Sequence, residues 1–488
     1  MLSLRKCFDF YRAIVAMPKA GHAKQPSTST STRRVCLMGI YSFRGGVHPE
    51  ANKKLTCDLP LTPFLPKGNL IFPLSQHIGK PSVPVVKKGD EVLAGQLIAE
   101  ADGFVSANIY SSCSGKVKAI EPHLTGAGLM ANCIVIENDG KFTPVAGMGK
   151  PVKSYRKLTP QDILQKIKEG GIVGLGGAGF PTHVKLAPKD PGAIRYFVAN
   201  GAECEPGITC DDRLMTERPQ EIVEGIKLVL KLFPNAKAVI AIEENKPRAI
   251  EAMTKAIEKE EKISLLVLKV MYPQGSERNL VYAVTGKYMP SGSLPADLGC
   301  VVDNVTTIHA IYNAVVKNTP LIEKGMTVTG DAVEKPCNLM VKLGTNVTEI
   351  LEEAGIKDNA KKVLMGGPMM GLAISSRDIP VVKTSNALTC MLTDPVEEAE
   401  KIQTNCIRCG RCTRVCPLGL VPQQMADAAE RKDYERYVRF HGIDCISCGT
   451  CTYTCPAKRP LTQLFAQTKP AAMAWKREQD AKKKEEKA

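Results

Sequence analysis

Eight of the eighteen cysteines lie between positions 406 and 455, in two sets of identical spacing. The first set reads CIRCGRCTRVCP and the second CISCGTCTYTCP, so each is C-x2-C-x2-C-x3-C-P. Three thiolates spaced in this way can bind one iron-sulfur cubane, while the fourth cysteine of each set ligates the other cluster. The spacing therefore predicts two 4Fe-4S clusters, one held by Cys406, Cys409, Cys412 and Cys455 and the other by Cys445, Cys448, Cys451 and Cys416.

Structural zinc and disulfides are the competing interpretations of these cysteines. Zinc sites usually pair two C-x2-C knuckles across a longer spacer and need no third cysteine two residues on. The remaining ten cysteines are scattered singly, and C-x2-C neighbours make poor structural bridges, so we expect a reducing compartment. Clusters are favoured over both alternatives, and two clusters this close form a short electron-transfer path.

The segment between the two cysteine sets predicts a helical type of ferredoxin domain. Residues 423–441 are rich in Ala, Glu, Arg and Gln and contain neither Gly nor Pro, which predicts one helix ending at Gly442. A further short helix is expected after Pro460. His441 is either a ligand or proton carrier or, more often in such a position, a charge at a helix C-terminus.

Composition restricts the rest of the chain to soluble, globular domains. The 488 residues are 44% apolar and 24% charged, and no run approaches the 18 uncharged apolar residues that a membrane span needs. Of the net charge of +15, nine charges lie in residues 1–37 and 469–488. The remaining charge is dilute and aromatic residues are 5%, so we expect no nucleic-acid partner.

Residues 1–37 stand apart as a basic N-terminal extension. They contain seven Lys and Arg, one Asp and the run STSTST, a composition that resembles a transit peptide. A mis-assigned start is the simpler alternative, because Met38 opens an ordinary segment. The extension is therefore left out of the fold prediction.

A glycine-rich segment at residues 170–186, GGIVGLGGAGFPTHVKL, suggests a phosphate-binding loop. It satisfies G-x-G-x-x-G, with a predicted strand over residues 172–175 and with Pro181 in the first turn of the following helix. The signal is weak alone, since the acid that a dinucleotide-binding motif wants is Glu203, 24 residues beyond Gly179. A glycine-rich turn without a ligand is the alternative. Residues 194–213 strengthen the first interpretation, because they predict a strand that runs into an acid-rich loop.

Together, GLGGAGFPTHVK and ANGAECEPG resemble the flavin- and NADH-binding subunit of respiratory complex I. The order of segments is more similar still to the RnfC family, the peripheral subunits of ion-translocating Rnf electron transport complexes. Three further segments carry this resemblance over residues 38–466, namely FRGGVHP at 43–49, YPQGSERNLVYAVTGKYMPSGSLPADLG at 272–299 and GGPMMG at 366–371. Complex I flavoproteins carry a single cluster at the end of this region, whereas two are predicted here.

The resemblance implies a set of site residues. The phosphate side of FMN would be held by Gly174, Gly176, Gly177 and Lys185, and the isoalloxazine and NADH pocket would be lined by Asn200, Glu203 and Glu205. Further flavin-lining positions would be Glu243, Glu244, Asn304 and Thr307. The match is imperfect, because Ala202 stands where complex I has an acid and Asp303 where it has Asn. The alternative for the glutamates is that they cap helices or pair with lysines.

These patterns predict a multidomain α/β protein with a barrel-sandwich (lipoyl-like) β domain, an SLBB β-grasp-like module and an α-helical two-cluster ferredoxin domain. Short Val- and Ile-rich strands at 65–140 indicate the barrel-sandwich domain, whose hairpin EADGFVSAN lacks a carrier lysine. The predicted boundaries are a basic extension at 1–37, the barrel-sandwich region at 38–148, the FMN/NADH-binding domain at 149–320, the SLBB-like module at 321–389, the cluster domain at 390–466 and a charged tail at 467–488.

The resemblance implies a peripheral subunit on the cytoplasmic face of the cell membrane, in an oxidoreductase complex that couples electron transfer between NADH and ferredoxin to Na+ or H+ translocation. Electrons would pass between NADH, FMN and the two clusters in either direction, and the partners would be the membrane-embedded and peripheral Rnf subunits, with ferredoxin reached indirectly. A flavin-free relay adaptor with two clusters is the alternative. A soluble dehydrogenase with a built-in ferredoxin domain is a third possibility.

Overall fold

The computed structural model describes residues 37–485. The basic extension predicted at 1–37 lies outside the described residues except for its last position, as do residues 486–488 of the tail. Within the described part of the chain, no helix is long and apolar enough to cross a bilayer.

A five-stranded parallel sheet forms the centre of the α/β domain. Neighbouring residues of its strands face two different apolar clusters, with Phe197 and Ala199 in one and Val198 in the other, so both faces of the sheet are covered. The strands, in order across the sheet, are Leu37–Tyr41, Ile263–Leu268, Lys237–Glu243, Tyr196–Gly201 and Cys300–Asn304. The helices of this domain are Pro160–Glu169, Thr182–Lys185, Cys210–Glu217, Pro219–Leu230, Pro247–Ala256, Glu277–Thr285 and Val305–Val316.

The barrel-sandwich domain consists of two small antiparallel sheets, which confirms the prediction from its short strands. One sheet contains Leu70–Pro73, Met130–Asn138, Gly115–Leu124 and Glu91–Val92. The other contains Val83–Pro84, Leu97–Glu100 and Ile109–Tyr110. Its buried side chains, such as Phe72 and Ile98, belong to the same apolar cluster as Phe197 of the α/β sheet, so the two domains share a core.

The SLBB-like module is larger than the two strands and one helix that the sequence predicts. The antiparallel pair Glu323–Thr329 and Cys337–Lys342 and the helix Val347–Glu353 are present. They belong to a six-stranded sheet, which in order across the sheet contains Leu372–Ala373, Lys362–Met365, Ala387–Met391, Glu323–Thr329, Cys337–Lys342 and Leu61–Phe64. The last strand comes from the N-terminal region, which ties that region to the module.

The cluster domain is helical, and two helix predictions for it are wrong. Residues 423–441 form two helices because Lys432 adopts a left-handed φ of 55° and Asp433 accepts a hydrogen bond from Arg436 N, which starts the second helix. The helix after Pro460 is long, since Phe465 and Ala472 are buried against the domain core. The helices are Pro395–Lys401, Arg411–Val415, Pro422–Glu430, Tyr434–Arg439, Thr450–Tyr453 and Leu461–Glu485, the last of which crosses the boundary predicted at 466.

Candidate functional site

The eight clustered cysteines line two separate cavities. The outer group comprises Cys406, Cys409, Cys412 and Cys455, and the inner group comprises Cys416, Cys445, Cys448 and Cys451. Each group takes three cysteines from one set and one from the other, which is the combination that the spacing predicts. The groups differ in exposure, since Cys406 and Cys409 are exposed whereas Cys448 and Cys451 are buried.

The surroundings of both cavities suit iron-sulfur clusters. Each offers four sulfur donors, the ligand type that such clusters take. Gly410 and Gly449 follow the second cysteine of each set and adopt left-handed φ values of 70° and 81°, so the chain turns sharply around each cavity. The inner cavity is otherwise mainly apolar, with Leu420, Met425 and Phe465 among its lining residues. Ligation of iron by these cysteines stays a prediction.

The glycine-rich segment is a loop rather than the strand predicted over residues 172–175. Only an isolated bridge between Val173 and Pro181 is present, and the helix that follows spans just Thr182–Lys185. Pro181 caps this helix and is not in its first turn. The strand prediction was wrong because the five strands of the central sheet do not include this segment. The segment lies beside the edge strand Cys300–Asn304.

The exposed part of the loop offers main-chain donors to solvent. Residues 176–178 are exposed, and the N–H groups of residues 176–179 have no hydrogen-bond partner among residues 37–485. A Cβ added at Gly177 would meet nothing within 4 Å, whereas Gly174 is half-buried. Consecutive N–H groups without partners in a largely exposed loop are available to bind an anion such as the phosphate of a flavin mononucleotide.

Buried side chains hold the base of this loop. Thr307 Oγ1 accepts a hydrogen bond from Leu175 N at 2.9 Å, and Lys324 Nζ donates to Leu175 O at 2.5 Å. Lys383 Nζ donates to Gly171 O at 2.7 Å. Thr307 was predicted to line the flavin pocket, but its side chain is fully buried behind the loop.

Two predicted asparagines lie at the carboxyl ends of adjacent strands, where ligands bind in parallel sheets. Asn304 caps the helix Val305–Val316, and its amide donates to Asp211 Oδ2 at 2.6 Å. A Cβ at Gly176 would lie 2.9 Å from the Asn304 side chain, so a glycine is needed for the loop to approach it. Asn200 Nδ2 donates to Gly275 O at 3.0 Å. The loop and both strand ends therefore lie together at one edge of the sheet, and we call this place the candidate flavin cleft.

Lys185 is committed to two carboxylates. Its Nζ lies 2.9 Å from Glu277 Oε1 and 3.7 Å from Asp303 Oδ1. Burial raises the pKa of Asp303 to about 6, and its Oδ2 atom has no hydrogen-bond partner within the described chain. The resemblance implied that Lys185 holds the phosphate side of FMN, but the structure pairs it with Asp303, the residue that departs from the complex I pattern.

The acid-rich loop contains glutamates with structural partners. Glu203 has a left-handed φ of 45°, and its carboxylate accepts hydrogen bonds from Asp211 N and Asp212 N at 2.7 and 3.2 Å. It thereby caps a helix, which is the alternative weighed for these acids. Burial raises the pKa of Glu203 and that of Glu205, the latter to about 7.

The other two predicted glutamates differ from each other. Glu243 is 1% exposed and pairs with the buried Lys246 at 3.4 Å, and burial raises its pKa. Glu244 is exposed. Lys246 also donates to Ala202 O at 2.6 Å, so this pair supports the acid-rich loop from behind.

Lys53 supports the same loop from the N-terminal region. Its buried ammonium donates to the carbonyls of Glu203, Glu205 and Ile208 at 2.8, 3.0 and 2.6 Å. No motif singled out Lys53 or Lys246 in the sequence. Such a role depends on contacts between distant segments, because a lysine takes it only when folding buries its side chain.

The inner cysteine group lies directly against the acid-rich loop. Cys448 belongs to an apolar cluster with Val47 and Tyr272, and Cys204 and Met369 pack against it. The outer group takes no part in that cluster. The inner cavity is therefore the one next to the candidate flavin cleft.

Comparison with known families agrees with this arrangement. Family models match for an RnfC barrel sandwich hybrid domain at residues 41–141, a Nuo51 FMN-binding domain at 167–313, an SLBB domain at 326–373 and a 4Fe-4S dicluster domain at 405–458. The predicted fold class is thereby confirmed.

Curated relatives cover nearly the whole chain. A Clostridium ljungdahlii protein, a subunit of a proton-translocating ferredoxin:NAD(+) oxidoreductase complex, is 45% identical over 87% of this chain and 92% of its own. The chain belongs to the RnfC family. The corresponding subunit of the Na(+)-translocating ferredoxin:NAD(+) oxidoreductase complex of Acetobacterium woodii is 41% identical over 89% of this chain and 98% of its own. A Rhodobacter capsulatus subunit of an ion-translocating oxidoreductase complex is 41% identical over 87% and 82%.

In this RnfC-family chain, the three segments that had no predicted role meet at the junction of cleft and inner group. In FRGGVHP, Gly46 N donates to Val415 O, and Val47 pairs with Tyr272 of YPQGSERN. In GGPMMG, Met369 N donates to Glu205 Oε2 at 3.1 Å. Three segments that are far apart in sequence therefore meet at one place in the fold.

Proposed function

We propose that this chain is a peripheral subunit of a membrane-bound Rnf-type complex that couples electron transfer between NADH and ferredoxin to Na+ or H+ translocation. The membership of the RnfC family and the names of the relatives support this proposal. The observation that carries it is the apolar contact of Cys448 with Tyr272 and Val47, which joins the inner cysteine group to the acid-rich loop.

The eight cysteines would hold two 4Fe-4S clusters, and the cleft beside the glycine-rich loop would hold FMN. Bound FMN would supply the acceptance of a hydride from NADH and the delivery of single electrons. The free N–H groups of residues 176–179 would bind its phosphate. Asn200 and Asn304 would fix the orientation of the ring system at the strand ends.

The position of the two cysteine groups implies an order of electron transfer. The inner group is buried against the acid-rich loop, whereas Cys406 and Cys409 of the outer group are exposed. The inner cluster would exchange electrons with the flavin, and the outer cluster with a partner subunit. Tyr272, Cys204 and Met369 pack together at the junction.

The proposed location is the cytoplasmic face of the cell membrane. The described residues contain no helix suited to spanning a bilayer, so attachment would be through the membrane-embedded and peripheral subunits of the complex. Fractionation of cells tests the attachment to the membrane through these subunits. The chain should sediment with membranes when those subunits are present and stay in the supernatant when they are deleted.

Cofactor analysis separates this function from that of a flavin-free relay adaptor. The full chain, reconstituted anaerobically with iron, sulfide and FMN and then desalted, should retain about eight iron atoms and one FMN. Protein that retains the iron but no FMN, after reconstitution at flavin concentrations well above micromolar, would favour the relay adaptor.

A further inference from the structure

Two buried lysines of the SLBB-like sheet contact the glycine-rich loop of the neighbouring domain. Lys324 lies on the strand Glu323–Thr329, and Lys383 precedes the strand Ala387–Met391. Their exposed fractions are 2% and 1%. Neither position belongs to a motif that the sequence singled out.

All hydrogen bonds of the two ammonium groups go to main-chain carbonyls. Lys324 Nζ donates to Leu175 O at 2.5 Å and to Lys383 O at 3.0 Å. Lys383 Nζ donates to Gly171 O at 2.7 Å and to Asn108 O at 2.5 Å. The two lysines therefore link the SLBB-like sheet, the barrel-sandwich domain and the loop.

Neither lysine forms an ion pair with a carboxylate among residues 37–485. Burial lowers the pKa of Lys324 to about 8, although the charges of Cys210 and Asp211 oppose this in part, and it lowers the pKa of Lys383, which has no such opposing charge, to about 7. Burying an uncompensated cation costs stability. An anion bound at the loop would offset that cost.

The contact of Lys324 also sets the direction of a donor. In a trans peptide the C=O and the following N–H point in opposite directions. Since Leu175 O is held on the side of the sheet, the N–H of Gly176 is turned toward the exposed side of the loop. Leu175 N is held in turn by Thr307 Oγ1, so both sides of this residue are fixed.

We propose that Lys324 and Lys383 are positioning residues for a phosphate monoester at the glycine-rich loop. They hold the carbonyls of Leu175 and Gly171 so that the N–H groups of residues 176–179 face the anion, and their charges attract it. This inference rests on the proposed function, because it takes the phosphate of FMN as the anion.

Binding of FMN and of riboflavin, which lacks the phosphate, tests the proposal on the full chain. Wild-type protein should bind FMN more tightly than riboflavin. Lys324→Met should weaken FMN binding by about tenfold or more, since a charged hydrogen-bond donor is lost, and should leave riboflavin binding within about twofold. Lys383→Met, measured in the same way, should also reduce the preference for FMN over riboflavin. It tests the proposal if Lys324→Met does not fold.

Lys342→Met is the matched control. Lys342 lies in the same sheet, and its ammonium pairs with Glu323 at 2.6 Å instead of donating to a carbonyl of the loop. It should keep the wild-type preference for FMN. Thermal unfolding of each protein without flavin reports the loss of stability separately.

Three results would contradict the proposal. Equal weakening of FMN and riboflavin in both lysine variants would overturn the proposal, since that result describes a general structural role. An unchanged preference in both variants would overturn it too, while leaving flavin binding itself established. If wild-type protein binds neither flavin, the proposed function fails first.

Discussion

In the helical cluster domain, all eight cysteines that line the two cavities lie between positions 406 and 455. In the α/β domain, the groups that shape the candidate flavin cleft come from positions as distant as Lys53 and Lys383. The first site is encoded by spacing within a short segment. The second exists only when distant parts of the chain pack together, so it should respond to substitutions far from it.

The cores of the two regions differ in the same way. The cluster domain has its own small core, which includes Met425, Tyr437 and Phe465. The α/β, barrel-sandwich and SLBB-like parts share one large core, in which Phe72, Phe197 and Val328 belong to the same cluster. Metal ligation is expected to contribute much of the stability of the first region and little of that of the second.

Removal of one cluster ligand should give the largest effect and should stay within its region. Cys448→Ala is expected to lose the inner cluster, about half of the bound iron, while FMN affinity changes by less than about threefold. NADH should then no longer reduce the outer cluster. Iron analysis, flavin titration and EPR measure the three results.

Cys409→Ala is the matched variant of the outer group. It should lose the other cluster and leave the inner one reducible by NADH. If NADH reduced the outer cluster in Cys448→Ala at the wild-type rate, the inferred order of the clusters would be wrong.

A substitution at the junction should couple the two regions. Gly45 has φ of 90°, and an added Cβ would lie 2.8 Å from Cys416 O. Gly45→Ala should therefore push the FRGGVHP segment from the inner group and slow the reduction of the inner cluster by NADH severalfold. Stopped-flow absorbance measures that rate.

Gly89→Ala provides the control, because Gly89 has φ of 94° but nothing within 4 Å of the added Cβ. It should cost only the backbone strain, about 1 to 3 kcal/mol, and should not alter the rate. Equal rates in Gly45→Ala and wild-type protein would show that this contact does not position the cluster.

The smallest expected effect is a pH dependence confined to the α/β domain. Burial opposes ionisation of Glu221, but hydrogen bonds from His309 and Lys317 at 2.7 and 2.6 Å prevail and lower its pKa to about 2. A lowered pKa gives stability that is present above pH 4.5 and is lost as the pH falls toward 2.

Urea unfolding of the metal-free protein measures this dependence. Wild-type protein should exceed Glu221→Gln in stability near pH 5, and the difference should shrink toward pH 2. Glu258→Gln, at an exposed position, should show no such trend. A constant difference between wild type and Glu221→Gln would contradict the assignment.

The same contrast between the regions determines how much of each could be predicted from the sequence. The grouping of cysteines followed from spacing, and the short strands of the barrel-sandwich domain followed from their Val- and Ile-rich composition. The break at Lys432 was missed because a lysine in a left-handed conformation leaves no compositional signal. The loop at 172–175 was predicted as a strand because its apolar residues fit either structure. The flavin-site residues remain predictions, as do the domain boundaries.

Buried lysines mark the limit of prediction in the flavin region. Lys53, Lys246, Lys324 and Lys383 look like surface residues in the sequence, yet all four are buried and hold loop carbonyls. Burial of a lysine depends on contacts between distant segments, which a single sequence does not display.

The proposed electron path from NADH through FMN to the clusters is tested most directly by an anaerobic NADH titration. The full chain is reconstituted with clusters and FMN, and the titration is followed by absorbance and EPR. NADH should bleach the flavin, and signals of reduced 4Fe-4S clusters should appear. The proposed path would be contradicted if dithionite reduced two clusters but NADH reduced neither, in protein that retains no FMN.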